Sequence, residues 1–561
     1  MSKMIAVLAP SMNESIDDRG YEFIFRLKHE IDGGELSFKK LHEFATHSFQ
    51  VNKIENNNQS NYFTDTIPAA GYYLAGLLRS ANYNTILSNK CDLNSLSMIA
   101  NHNPDVICIS STMVFNKNAL KRIIDNIRKI MPDIFIIIGG PFIWKSYQWL
   151  DLITKKPEIN NNEFFNGNDH TIFLFPYLKN EIKADIFIVS PHGGSILLKV
   201  LEKLFNGRNN FEDIKNLALH NNEGQIYFTH RMKEDIDYDN LYTRWDLLDK
   251  LPDILSITTS YGCPYRCGFC DFCKLQPQIN FRSKESLLSE FKLIKKLLPN
   301  NLNSRFINIT DDNVFITQKR VQEVCNALIE SKVGLLWSGF TRAASINNDN
   351  IKLIKRSGLV IPNIGVESGD IEQLNRMNKK TNLEELKNGI ELLDQIGAAV
   401  IMYFVIGYPG ENNDTIQNTV NFLNNLSVQN AQFEVFPLQI SPLSEVSMPE
   451  NRKRFNLYGI LNNWSHYTMN SENVNEYCLK LCKMVTKIQY VYQEENLFFN
   501  MRFKGNKLNK LIKLRQDLTI KIIEKAHWKS IAENLAIISE IFGLKKVYPN
   551  ENFINGIICS K

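Results

Sequence analysis

The sequence predicts an α/β chain: a doubly wound parallel sheet, then a full or partial parallel (β/α) barrel, then a mostly helical C-terminal part. Three observations carry this. Short continuous apolar runs, the mark of strands covered on both faces, alternate with amphipathic stretches at helical spacing. The alternation stops near Pro442. At 561 residues the chain is also too long for one hydrophobic core.

Taken in order, Met4-Ile-Ala-Val-Leu-Ala reads as a buried strand. Residues from about 14 to 65 are charged and Asn-rich without a period, and read as an inserted polar arm. Regularity returns at Pro68. Helices are expected at Ala69–Ala81, Ser95–His102, Lys117–Ile130 and Gly194–Leu204. Strands are expected at Asn84–Ser88, Asp105–Ser110, Ile134–Ile138 and Ala184–Val189. Sheets of this kind bind ligands beyond the carboxyl ends of their strands. Two such ends are small and polar, Ser110-Ser111-Thr112 and Gly139-Gly140-Pro141. Residues 206–250 read as a bridge with a short β element at Ile226–Phe228.

Next comes the strand Ile254–Thr259, the turn Tyr261-Gly262, and Cys263-Pro-Tyr-Arg-Cys267-Gly-Phe-Cys270. Three thiols on one tight loop can hold three corners of a four-iron cluster, since thiolates are the usual ligands of such clusters. The fourth iron is then free for a substrate, as catalytic metal sites keep a position open. Cys273 leaves an alternative: four thiols within eleven residues closing on zinc. Structural zinc sites more often divide their ligands into two separated pairs, and no second pair lies near.

A βα rhythm comes after the cysteines. Helices are expected at Lys284–Leu298, Lys319–Ser331 and Leu383–Ile396, with strands at Arg305–Thr310, Gly334–Ser338, Leu359–Gly365 and Ala399–Ile406. In parallel barrels the chemistry sits at the C-terminal strand ends. Polar residues fall there: Asp311-Asp312 after one strand, Arg342 near the next, and Glu367-Ser368 after the third. Any one of them could instead cap a helix or shape a turn.

Composition is that of an ordinary globular protein, 44% hydrophobic and 22% charged, with net charge +4. That balance argues against a mainly electrostatic nucleic-acid binder. Met4–Pro10 is too short for a secretion signal, and no apolar segment approaches the roughly 18 residues of a membrane span. Ten cysteines, most of them inside apolar runs, do not suggest a disulfide framework, so a reducing cytoplasmic location is expected.

The C-x₃-C-x₂-C spacing with aromatic Phe269 before the last cysteine resembles the radical S-adenosylmethionine (SAM) superfamily. The preceding half is similar to the Rossmann-like cobalamin-binding domain found in one large branch of it. The resemblance implies roles for particular residues. Cys263, Cys267 and Cys270 would hold a 4Fe-4S cluster. Asp311 and Asp312 would face the amino group of SAM, Arg342 would make a charged contact to it, and Glu367 and Ser368 would lie near its ribose. Ser110, Ser111, Thr112, Gly139, Gly140 and Pro141 would line a cobalamin site. The chain departs from the family in lacking D-x-H-x-x-G, and in having Ser190-Pro-His-Gly-Gly194 where an acidic segment is common. The barrel would be TIM-type. The implied activity is methylation of a carbon centre, through a radical that removes hydrogen from an unactivated carbon. Rearrangement or cyclisation without methyl transfer is the alternative, and a zinc-stabilised binding module the rival from another class. The expected partners are a small-molecule or peptide substrate and an electron donor such as flavodoxin or ferredoxin, with no nucleic acid and no membrane.

The expected domains are residues 1–205, the bridge 206–250, the barrel 251–445 and a C-terminal domain 446–561. In the last, Asn463-Trp-Ser-His-Tyr-Thr-Met469 resembles a segment of related enzymes that act on peptides. Trp464 and His466 are therefore candidates to face the active site, with packing as the alternative. Cys478 and Cys482 share a helix face and are expected to pack. The basic stretch Arg502–Lys525 reads as a solvated amphipathic helix, or else a surface for an acidic peptide.

Overall fold

Apolar Met4–Leu8 becomes strand β1, paired in parallel on both sides: with β2 (Asn84–Ser88) and with β3 (Val106–Ser110). Then come β4 (Phe135–Gly139) and β5 (Ile186–Ile188), also parallel. Two antiparallel strands, β6 (Leu217–His220) and β7 (Ile226–Phe228), complete the order β2-β1-β3-β4-β5-β6-β7. Alternate residues feed two cores. Ala6, Leu8, Ile107 and Ile109 pack on one face, and Ile5, Val7, Val106 and Cys108 on the other. That is why these strands read as continuous apolar runs.

The computed structural model describes residues 3–11, 67–160, 172–175, 182–208, 210–298, 305–490 and scattered positions between 510 and 537. The polar arm at about 14–65 and most of the basic stretch Arg502–Lys525 lie outside the described residues.

Local chemistry sets the helices. At Lys117–Ile130 the Asn116 side chain accepts from the Ala119 amide at 2.8 Å, and Leu120, Ile123, Ile124 and Ile127 form the buried stripe. The helix Pro141–Lys155 starts directly after β4. Gly140 takes φ 105° and Pro141 occupies the first turn, where its missing N–H is no loss. Strand, Gly-Gly-Pro and helix together shape one wall of the site.

The second sheet is parallel throughout. It contains β8 (Ile254–Ile257), β11 (Phe306–Ile309), β12 (Trp337–Thr341), β13 (Leu359–Glu367), β14 (Ile401–Ile406), β15 (Gln432–Pro437) and β18 (Gln489–Tyr490), in the order β18-β15-β14-β13-β12-β11-β8. Among the described residues it is an open, partial barrel, with β8 at one edge. Between β8 and β11, Ser260–Tyr261 (β9) and Asn280–Phe281 (β10) form a small ladder framing the cysteine loop. The hairpin Tyr458–Ile460 (β16) and Asn463–Ser465 (β17) and the helix Val474–Met484 come after β15.

Pleating divides the barrel sheet. Leu255, Ile257, Ile307, Ile309, Ile364, Met402, Phe404 and Phe433 point outward into the core beneath the helices. The inner wall carries Ser256, Asn308, Ser338, Asn363, Tyr403 and Glu434. It is closed in pairs, Ser338 to Asn308 at 2.9 Å and Tyr403 to Asn363 at 3.1 Å. This face is mixed: Phe306, Ile361, Ile401 and Tyr403 cluster on it, while Ser256 and Asn308 line an open space.

Two expectations shift. The strand read at Gly334–Ser338 begins three residues later, at Trp337, because Gly334 adopts φ 71° and leaves the extended region. The seventh barrel strand, β18, comes from the part read as helical. Cys478 and Cys482 are buried in the barrel core. Among the described residues no helix is long and apolar enough to cross a membrane.

Candidate functional site

The cysteine loop leaves β8 through Thr259-Ser260-Tyr261-Gly262, and Asp311 holds that exit. Its carboxylate accepts from the Thr259 amide at 2.6 Å, the Thr259 hydroxyl at 2.5 Å and the Ser260 hydroxyl at 2.6 Å. Gly262 turns the chain at φ 88°, with the Gln278 carbonyl 2.5 Å from where a Cβ would stand. Farther on, Gly268 is held from both sides: its amide donates to Met377 O and its carbonyl accepts from the Val446 amide, each at 2.8 Å. A Cβ there would lie 2.2 Å from the Tyr408 hydroxyl. Cys263, Cys267 and Cys270 are thus presented by a backbone tied to three other segments.

Charge around the loop comes from the strand ends. Burial raises all three thiols, Cys270 to about 12. At Cys267 the Lys379 ammonium opposes that most, Glu367 works the other way, and Arg342 adds a further positive charge. Arg342 lies 3.8 Å over the Tyr265 ring and donates to the carbonyls of Lys379 and Lys380 at 2.8 and 2.9 Å. It fastens the loop to the segment after β13. Glu367 takes the left-handed φ of 69° where the β13 register shifts, and Lys379 meets it at 2.6 Å. Both are buried. The pair fills the hollow over Gly365, whose Cβ would be 2.5 Å from Glu367 Oε1 and 2.9 Å from Lys379 Nζ. Asp312 has no hydrogen-bond partner among the described residues. It keeps an open face although protein surrounds it, and burial, then the Asp311 charge, raises it to about 6.

A cavity of about 1040 Å³ joins the two sheets. On one side lie the ends of β3 and β4, with Ser110, Thr112, Gly139, Gly140 and Pro141; on the other, the β8 edge and the inner residues Thr258, Asn308 and Thr310. Its size stands at the top of the roughly 300–1,000 Å³ of small-molecule pockets. At the Gly-Gly end Gly140 turns at φ 105°, and its missing Cβ leaves room for Ser111, whose atoms would stand 3.0 Å from it. His192, at the end of the β5 segment, also lines the space, 3.3 Å from the Gln276 amide and edge-on to Tyr261 at 4.9 Å. Burial, only partly offset by that amide, pulls its pKa down to about 4, so the imidazole is neutral near pH 7. The helix after Gly140 closes the assembly: Lys145 pairs with Asp271 at 2.7 Å and Trp144 donates to Leu275 O at 2.9 Å.

The geometry corrects several expected contacts. Asp311 is spent on Thr259 and Ser260, so of the acidic pair Asp312 alone is left for a ligand. Ser368 is fully buried, accepting from the Asp370 amide at 3.1 Å, and is a turn residue. Ser111 is likewise buried and donates to Gly139 O at 2.7 Å, which shapes the Gly-Gly end without lining it. Trp464 and His466 do not line the cavity. Trp464 donates to Leu438 O at 2.9 Å, His466 is bonded to Gly407 O at 2.8 Å, and their rings stack at 5.0 Å against the Gly407 turn. Phe269 packs against the barrel core. Lys379, Tyr265 and Gln276 join the site without any signal in sequence spacing.

The donor sets fit the groups expected of them. Three thiols on a clamped loop beside two cations suit an anionic cluster. Among the described residues no three His, Cys, Asp or Glu side chains are grouped to hold a single metal ion. Cluster thiolates bind separate irons and need no such convergence. The small-residue strand ends suit a flat macrocycle.

Comparison with known proteins agrees. The family model "Radical SAM superfamily" matches residues 257–423, and "B12 binding domain" matches residues 60–153. An anaerobic magnesium-protoporphyrin IX monomethyl ester cyclase of Rubrivivax gelatinosus is 23% identical over 63% of this chain and 61% of its own length. A hopanoid C-3 methylase of Methylococcus capsulatus is 24% identical over 54% of this chain and 53% of its own. The chain thus spans between half and two thirds of these curated relatives. The solved structure of the cobalamin-dependent S-adenosylmethionine radical enzyme OxsB, with aqua-cobalamin and S-adenosylmethionine bound, superposes with a TM-score of 0.56 at 14% identity. It covers 87% of this chain and 75% of that one.

Proposed function

We propose that this chain, whose residues 257–423 and 60–153 match the radical SAM and B12-binding models, is a cobalamin-dependent radical SAM enzyme that methylates a carbon centre of a peptide or other natural product. The observation that carries this reading is the cavity that opens on the strand ends of the B12-binding sheet and along the β8 edge of the barrel. A methyl carrier on one wall and a reacting carbon on the other would share a space shielded from water.

Cys263, Cys267 and Cys270 would hold the 4Fe-4S cluster; Ser110, Thr112, Gly139, Gly140 and Pro141 would seat cobalamin. When bound, these groups and SAM supply one-electron access to an unactivated C–H bond and a transferable methyl group. The chain's own residues do the placing. Arg342 and the Met377–Lys380 segment fix the loop. Asp312 is free to accept from the SAM amino group. Glu367, held by Lys379, offers its second carboxylate oxygen toward the ribose. Trp464 and His466 pack away from the cavity, and the substrate class rests on the family resemblance.

The cyclase relative favours a second reading, radical ring closure without methyl transfer. Counting products separates the two. Anaerobically reconstituted protein, given SAM and substrate, yields S-adenosylhomocysteine together with 5′-deoxyadenosine if it methylates. Deoxyadenosine alone, with no label carried into product, overturns the methyltransferase reading.

A further inference from the structure

One group of side chains outside the cavity has no part in the chemistry of the cavity. Gly268 abuts Tyr408, and from there aromatic rings lead outward. Phe455 is edge-on to Tyr408 at 6.2 Å, and Tyr467 stacks on Phe455 at 6.4 Å and 18°. Tyr467 is 53% exposed. None of the three lines the cavity. They form a file from the cysteine loop to solvent that bypasses the substrate space.

Cations lie beside this file and beside the cysteine loop it starts from. The Arg454 guanidinium lies 5.0 Å over Phe455. Lys274 meets Glu445 at 3.2 Å, next to the Val446 amide that holds Gly268. Arg266, inside the cysteine loop, has its carbonyl fixed by Asn378 at 2.7 Å and its side chain exposed. Arg266, Lys274, Arg454 and Tyr467 all reach solvent. Exposed cations beside an aromatic suit an acidic protein partner: charge steers its approach, and the ring supplies buried contact.

We propose that this face is the docking surface for the electron donor, a small acidic protein carrying a one-electron flavin or iron–sulfur centre. The proposal rests on the radical SAM reading of the site, which requires an electron from outside. In the step one electron leaves the reduced carrier and enters the cluster; the carrier is oxidised, the cluster reduced, and no bond forms or breaks.

The test is anaerobic stopped-flow reduction of the reconstituted full-length protein by flavodoxin hydroquinone, followed at the cluster absorbance. Photoreduced 5-deazariboflavin, small and uncharged, is the reference reductant. The double variant Lys274→Glu, Arg454→Glu should lose roughly tenfold or more of the second-order rate constant with flavodoxin at low salt. The gap should narrow as salt rises, because screening weakens steering. Tyr467→Ala should slow flavodoxin several-fold on its own. Both variants should keep wild-type iron content and wild-type rates with deazariboflavin. Equal flavodoxin rates in variant and wild type, or equal losses with both reductants, overturn the docking surface while leaving the functional reading intact. A wild-type protein with no reducible cluster overturns both.

Discussion

Lys379 and Glu367 form a buried ion pair, 2.6 Å from Nζ to Oε1, that occupies the space Gly365 leaves empty beside Cys267. Removing one partner strands the other charge. Lys379→Met is expected to cost about 3–5 kcal/mol of folding stability. The double variant Lys379→Met, Glu367→Gln should recover most of it, and urea titration of the three proteins decides. A double variant no more stable than Lys379→Met would mean that the pair is not a closed unit.

Gly268 tests the clamp on the cysteine loop. Gly268→Ala places a methyl 2.2 Å from the Tyr408 hydroxyl, too close for the loop to stay where it is. Iron and acid-labile sulfide per chain after anaerobic reconstitution should fall by half or more. Adding Tyr408→Phe removes the nearest atom and should restore part of the loss.

The two strand-end glycines should separate in a cobalamin titration. At Gly139 a Cβ would meet Ile188 at an ordinary 3.5 Å, whereas at Gly140 it would meet Ser111 at 3.0 Å with φ at 105°. Gly139→Ala is expected to bind cobalamin nearly as the wild type does, and Gly140→Ala roughly tenfold or more weakly. Equal affinities would remove this turn from the corrin site.

Glu411 gives a pH-dependent stability. Fully buried, and only partly compensated by the Thr415 hydroxyl, its carboxyl is raised from 4.5 to about 7. Between those values the folded state binds the proton and the unfolded state releases it. Stability is therefore lost as pH rises through that window and levels off above it. Glu411→Gln should be near neutral at pH 4.5 and stabilising above pH 7, by up to about 3 kcal/mol. Thermal unfolding across that range checks the crossing.

Much of this architecture is legible in residues alone, for reasons the structure makes plain. Strands such as Met4–Leu8 and Val106–Ser110 are covered on both faces, so every residue must be apolar and the run stands out. The cysteine spacing is local and survives any folding. β15 escaped because its inner residues Gln432 and Glu434 are polar and break the apolar run. Asp311 and Asp312 look interchangeable in sequence, but at a strand end successive side chains point to opposite sides. One is thereby committed to Thr259 and Ser260, and the other is left free. The Lys379–Glu367 pair joins residues twelve apart through a bulge in β13, for which no spacing rule exists. The Trp464–His466 segment misled because indole and imidazole serve equally well as backbone-bonded packing.

Among the described residues the barrel sheet ends at β8. A ring of about eight strands closes on an interior just wide enough for its own side chains. This one leaves a doorway in its flank, bordered by Thr258 and Thr310 and facing the neighbouring sheet. A bulky reactant can come in sideways without threading a central hole, so the girth of what is admitted is governed by the spacing between the two halves of the molecule. Widening or narrowing that gap would retune the clientele while every group on the inner wall stayed where it is.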